Sequence, residues 1–204
     1  MPIPDDLDRR LRTAAFIEVR RMLELRDPLT ASDLARGFQF EGQRIPLINP
    51  QRGIFKPQAM KYALSIKTVA PKKGARVWYD DQRTAHSQIY SGDETVEYSF
   101  MGSDPDAADN RWLREAMENR IPLIYFLGAY PGHYHAIIPV MIVGWDPHRL
   151  RVQVSVGLEG ELRPDPQETA LERRYALRQV KARPWNVPRS VEGSPRAPSS
   201  TLPR

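Results

Sequence analysis

From Phe38 onward the spacing of apolar residues changes from the three-to-four-residue recurrence of a helix to alternation by two. This switch confines the chain to an α+β fold with helices first and a sheet after them. Before the switch, Leu7, Leu11, Ala14, Ala15, Val19, Met22 and Leu23 make one apolar stripe among arginines, which predicts an amphipathic helix over 5–26 ended by Pro28. Thr30-Ala-Ser-Asp33 matches a capping box, and the short helix it opens should stop at Gly37. Residues 1–36 are therefore expected to form a helical pair. Its second helix is too short to read a DNA groove, so packing against the main domain is the expected role. Beyond the switch, 38–40, 64–69, 95–101, 123–127, 135–143 and 150–156 are β-branched or aromatic segments bounded by turn residues and read as strands. Residues 109–119 interrupt them with helical spacing that puts Trp112, Leu113 and Ala116 on one face. A curled, mostly antiparallel β-barrel over 37–160 closes the edges of such strands most economically. A charged helix is expected within 161–182, and 183–204, with five prolines and four serines, should be a disordered tail.

Charge is distributed unevenly along this frame. The stretch 42–79 holds eight basic residues (Arg44, Arg52, Lys56, Lys61, Lys67, Lys72, Lys73, Arg76) and no acid, whereas 80–118 carries ten acids against three arginines. The net charge of +5 is misleading here, because the five cations beyond residue 180 against Glu192 give the tail +4 and leave +1 for the rest. The pattern suits a polyanion whose phosphates lie on the basic stretch while a base enters an acidic pocket; charge scattered over solvated loops would produce the same counts.

Hydrophobic residues make up 41% of 204, enough for the core of one domain. The absence of cysteine removes disulfides, thiolate zinc sites and cysteine nucleophiles, and fits a reducing compartment. The longest apolar run, 136–144, is broken by Pro139 and too short to cross a bilayer, and the N-terminus lacks a signal peptide's basic and apolar regions. A cytoplasmic address with no membrane contact is expected.

Four segments could carry chemistry: Gln51-Arg-Gly53-Ile-Phe-Lys56-Pro57, Tyr79-Asp80-Asp81, the strand ending Tyr98-Ser-Phe100-Met-Gly102-Ser103-Asp104-Pro-Asp106, and the helix start Asp109-Asn110-Arg111. A protein that inspects a base must unstack it and hold it between π faces while polar groups meet its Watson–Crick edge. The N4 amino group of cytosine donates, so a carboxylate is its natural partner. Phosphate contacts are expected from Arg44, Arg52, Lys56, Lys72, Lys73, Arg76, Asn110 and Arg111.

The runs Gly-Phe-Gln-Phe-Glu-Gly-Gln-Arg-Ile-Pro-Leu (37–47), Gln-Arg-Gly-Ile-Phe-Lys-Pro (51–57), Tyr-Asp-Asp (79–81), Met-Gly-Ser-Asp-Pro-Asp (101–106), Asn-Arg-Trp-Leu-Arg-Glu-Ala-Met (110–117) and Pro-Leu-Ile-Tyr-Phe-Leu-Gly (122–128) carry a likeness. Through them the chain resembles the N-terminal region of modification-dependent HNH restriction endonucleases. That resemblance implies an SRA-type domain, a PUA-like barrel that flips 5-methylcytosine out of duplex DNA. It further implies a base pocket built from Tyr79, Asp80, Asp81, Phe100, Gly102, Ser103 and Asp104, with Tyr79 and Phe100 sandwiching the base and Asp80 or Asp81 accepting from N4. Phe100 stands where the wider family has tyrosine. Members of the endonuclease family continue from a helix like 172–183 into an HNH module, which needs a histidine base and metal ligands. Here no Cys and no His follows His148, so no such centre can be assembled there.

The expected function is thus a reader of modified, 5-methylated, cytosine in double-stranded DNA, without catalytic residues or metal ligands of its own. Mg²⁺ or Zn²⁺ would enter only with a nuclease module supplied from elsewhere, and a separately encoded nuclease would make a split enzyme. Two alternatives stand beside it. One is an endonuclease, through the full-length family activity or through metal-dependent cleavage at Asp80, Asp81, Asp104 and Asp106; the other is an RNA-binding PUA-like module. His133 and His135 offer half a metal site at most, Asp104-Pro-Asp106 is also ordinary turn chemistry, and Trp78, Trp112 and Trp145 suit packing better than base stacking.

Overall fold

A computed structural model describes residues 5–70 and 95–156. The amphipathic stripe becomes α1 (Asp5–Leu25), and Leu11, Ala15 and Val19, four residues apart, turn inward and are buried. β1 (Leu29–Thr30) leads into α2 (Ala31–Arg36). The Thr30 hydroxyl accepts from the Asp33 amide at 3.1 Å, and Gly37 ends the helix at a φ of 62°. β2 (Phe38–Phe40) and β3 (Gln43–Ile45) then form a small antiparallel hairpin of their own.

The main sheet contains β4 (Ile54–Phe55), β5 (Ser65–Lys67), β6 (Thr95–Ser99), β7 (Leu123–Tyr130), β8 (His133–Asp146) and β9 (Arg151–Val156), with α3 (Ala108–Glu118) between β6 and β7. Its order is β4-β5-β7-β8-β9-β6, and β1 attaches to the start of β8. The sheet is mixed: β5 runs parallel to β7, and the other pairs are antiparallel. Besides β1, β8 pairs with β7 along its first half and with β9 along its second, and register shifts near Gly128 and Gly144 accompany the bend. The sheet curls into a half-barrel with α1 and α2 on one face and α3 on the other, an α+β architecture.

Alternation along β7 divides the core in two. Leu123, Tyr125 and Leu127 join the inner cluster with Val96, Tyr98, Val152 and, from α3, Leu113 and Ala116. Ile124 and Phe126 join Leu11, Ala15, Val19 and Leu34 on the helical side. β7 is therefore apolar on both faces, which is why it reads as an unbroken hydrophobic run.

The half-barrel is spanned across its interior by Tyr98. From β6 its hydroxyl donates to the Lys67 carbonyl of β5 at 3.3 Å. A Cβ at Gly53, just before β4, would lie 2.7 Å from that same hydroxyl. A side chain at position 53 would have to displace the Tyr98 hydroxyl, and one tyrosine ties β6, at one end of the strand order, to β5 and the entry to β4 at the other.

α1 is fastened to the sheet by a buried charge pair. Arg12 donates to Asp8 Oδ1 at 2.8 Å and to the Ala63 and Pro122 carbonyls at 2.7 and 3.0 Å. Asp8 Oδ2 accepts the Lys61 and Tyr62 amides at 2.8 and 3.0 Å. Burial lowers the Arg12 pKa and Asp8 opposes the shift. Every strong acceptor of the pair has a donor, as a buried charge requires. The helix expected within 161–182 and the tail 183–204 lie outside the described residues.

Candidate functional site

Three of the four segments singled out in the sequence meet at one end of the half-barrel. The loop before β4 brings Arg52, the chain leaving β6 brings residues 100–106, and α3 brings its first turn. Arg52 bonds Asp109 Oδ1 at 2.8 Å, joining the first segment to the third. Lys56 sits over the Trp112 ring at 5.2 Å, a second link between β4 and α3. The fourth segment, Tyr79-Asp80-Asp81, lies outside the described residues, as do Lys72, Lys73 and Arg76.

Asn110 organises this end. Its side chain is fully buried; Nδ2 donates to the Met101 and Asp104 carbonyls at 3.0 and 2.7 Å, and Oδ1 accepts the Met101 amide at 2.8 Å. Three hydrogen bonds from one side chain fix the loop on which Gly102, Ser103 and Asp104 stand exposed. The Asp104 carboxylate accepts the Asp106 amide at 2.9 Å, an Asx-type turn, and Asp106 pairs with Arg114 at 3.2 Å. Gly102, at a φ of 69°, takes a left-handed conformation in the loop that Asn110 holds.

Lys67 shapes the opposite wall. It is 7% exposed, and its ammonium donates to the Asn49 and Pro50 carbonyls at 2.6 and 2.8 Å. Burial lowers its pKa. It holds the turn that delivers Arg52, a role its place in a basic run did not announce.

Several expectations need correction. Asn110 has no free polar atom for a phosphate, because burial and the 101–104 loop use it up. Phe100 is 7% exposed and lies against Trp145 with ring centroids 4.3 Å apart, so it has no open face on which a base could stack. Among the described residues the basic stretch is not one surface: Lys67 is inside, Lys61 bonds Asp5 at 2.8 Å, and Arg44 lines a cleft beside α1 and α2. Arg52, Lys56 and Arg111 remain at the described end, and Arg111 is exposed.

His135 bonds Asp27 Oδ1 through Nδ1 at 2.9 Å, whereas His133 stacks on Tyr130 at 4.1 Å, so the two imidazoles part company. Among the described residues no group of three or more His, Cys, Asp or Glu side chains could hold a metal ion. Likewise no helix among them is long and apolar enough to cross a membrane. Sequence reasoning missed Tyr98, Lys67 and the Asn110 clamp. Tyr98 and Lys67 act through hydrogen bonds to residues 17 to 31 positions away, and Asn110 through a buried clamp on the preceding loop, for which no periodic pattern exists. No family model matches the chain, and no curated protein or solved structure matches it significantly.

Proposed function

We propose that this chain is a duplex-DNA reader that takes a modified cytosine, 5-methylcytosine in the first instance, out of the helix at the α3 end of the half-barrel. One observation carries the reading: Arg52, the Gly102-Ser103-Asp104 loop and the start of α3, separate in sequence, are drawn together by Asn110, Lys67 and the Arg52–Asp109 pair. A rigid polar loop beside exposed cations is what base inspection next to a phosphate backbone requires. In this proposal Arg52, Lys56 and Arg111 meet phosphates, and the exposed 102–104 loop faces the extruded base. Tyr79 stacks on that base and Asp80 or Asp81 accepts from N4. Phe100 supports the loop from beneath, through Trp145. The PUA/SRA-like character of the barrel belongs to the same proposal.

Fluorescence anisotropy with matched unmodified, 5-methylcytosine, 5-hydroxymethylcytosine and phosphorothioate duplexes, plus a single-stranded RNA of the same sequence, tests it. The 5-methylcytosine duplex is expected to bind roughly tenfold tighter than its unmodified twin, given that one methyl group in a fitting apolar pocket is worth about 1–3 kcal/mol. Equal affinity for all duplexes removes base reading, and a preference for the RNA replaces the proposal with an RNA-binding one.

A further inference from the structure

On the opposite face of the sheet, α1, α2 and the β2–β3 hairpin enclose two adjoining hollows that share Glu18, Arg21, Arg36 and Gly37 in their walls. Together they make one trough, running from Leu25 and Leu29 at one end to Phe38 and Arg44 at the other. Its flank on α1 is the row Ile17, Arg21, Leu25, spaced by four residues and so aligned along the helix. Ile17 and Leu25 are 61% and 76% exposed, although α1 buries a different stripe in the core. Large apolar side chains in a lined concavity mark a contact surface better than isolated ones on a convex face.

The charge of the trough selects the partner. Arg21, Arg26, Arg36 and Arg44 line it against Glu18 and Asp33 alone. Asp33 is shared between Arg26 at 3.4 Å and Arg36 at 3.8 Å, and Arg21 is paired with Glu18 at 2.6 Å. The balance is positive, and the shared carboxylate leaves donor capacity on both of its arginines. Residues 14 to 25 of α1 cover about 17 Å of helix, the reach of roughly five to six extended residues. Phosphodiester backbone would satisfy the arginines and leave Ile17, Leu25 and Phe38 wet.

We propose that this trough docks a short acidic segment of a partner protein, with alternating apolar side chains seated on Ile17, Leu25 and Phe38 and carboxylates reaching Arg36 and Arg44. The proposal is independent of the DNA reading, since α1 and α3 pack into different core clusters on the two faces of the sheet.

The probe is a fluorescein-labelled hexapeptide of alternating Asp or Glu with Leu or Phe, titrated against the whole chain. Two control peptides replace the acids by Lys or the apolar residues by Ser. The acidic apolar peptide is expected to bind, both controls to fail, and R36E/R44E to weaken binding by roughly tenfold or more. Ile17→Ser, an exposed change that leaves the core intact, should weaken it as well. Thermal melting of each variant verifies folding. No binding of the acidic peptide, equal binding of the Ser control, or indifference to both variants overturns the proposal. So does a loss of duplex-DNA binding in R36E/R44E without loss of peptide binding, which would make the trough a phosphate surface.

Discussion

Arg12 and Asp8 show what a single pair can hold. Together they engage carbonyls and amides from residues 61–63 and 122, so removing either leaves the other charged and buried. Arg12→Met is expected to cost about 3–5 kcal/mol in urea unfolding, and adding Asp8→Leu should return part of that loss. A cost equal to that of an exposed pair would mean that water reaches the site. Lys67 makes a pH-dependent contribution of definite sign. Its pKa is lowered by burial from an ordinary 10.5, so the unfolded chain binds this proton more tightly than the folded one. Stability contributed by Lys67 therefore rises with pH as the pH approaches 10.5 from below. The margin of wild type over Lys67→Met should widen as pH rises toward 10.5 when their unfolding midpoints are compared. Asn110→Ala should cost about 1–3 kcal/mol and, on the proposed reading, weaken 5-methylcytosine binding beyond any effect on unmodified duplex, since it loosens the 101–104 loop. Equal loss on both duplexes would confine Asn110 to the fold.

Elements show where local rules suffice and where they fail. α1, the Thr30 cap, the Gly37 stop and α3 follow from periodicity and capping, and all six expected strand segments appear, as β2, β5, β6, β7, β8 and β9. β1, β3 and β4 went unread, because two or three residues show no period; tertiary hydrogen bonds alone make Leu29 pair with Tyr134 and Ile54 with Ile66. The parallel register of β5 on β7 was equally invisible, as direction is set by the connection and not by either strand. The candidate site was legible as a set of segments and illegible as a set of roles, since Asn110 and Phe100 look like contact residues until their burial is known. Gly128 on β7 is a sharp test of this packing. A Cβ there would lie 2.4 Å from the Ala70 amide nitrogen and 2.8 Å from the Thr68 carbonyl, both backbone atoms. Gly128→Ala should destabilise by about 1–3 kcal/mol or more, because strand backbone cannot move aside as a side chain can. A neutral outcome in thermal melting would show that β5 and β7 can separate there without loss.

At the scale of the molecule, the two proposals use opposed faces, and for the DNA reading the described cations at the α3 end are few. Each phosphate neutralised contributes about −0.9 to the log–log dependence of affinity on salt. Arg52→Ala should flatten that slope by about one unit, and Arg44→Ala, placed on the other face, should leave it unchanged. Identical slopes in wild type and Arg52→Ala would remove this loop from the interface. The two-sided burial of β7 reaches beyond the native state. Leu123-Ile124-Tyr125-Phe126-Leu127 carries no charge, and its parallel partner Ser65-Ile66-Lys67 lies about 60 residues earlier in the chain. During synthesis and refolding the segment must wait for a distant strand and for both helical layers, and while it waits it is a strong template for cross-β association. Pro122 directly before it and Gly128 directly after the run are the residues that blunt this hazard. Yield on refolding should therefore fall with protein concentration long before native stability becomes limiting.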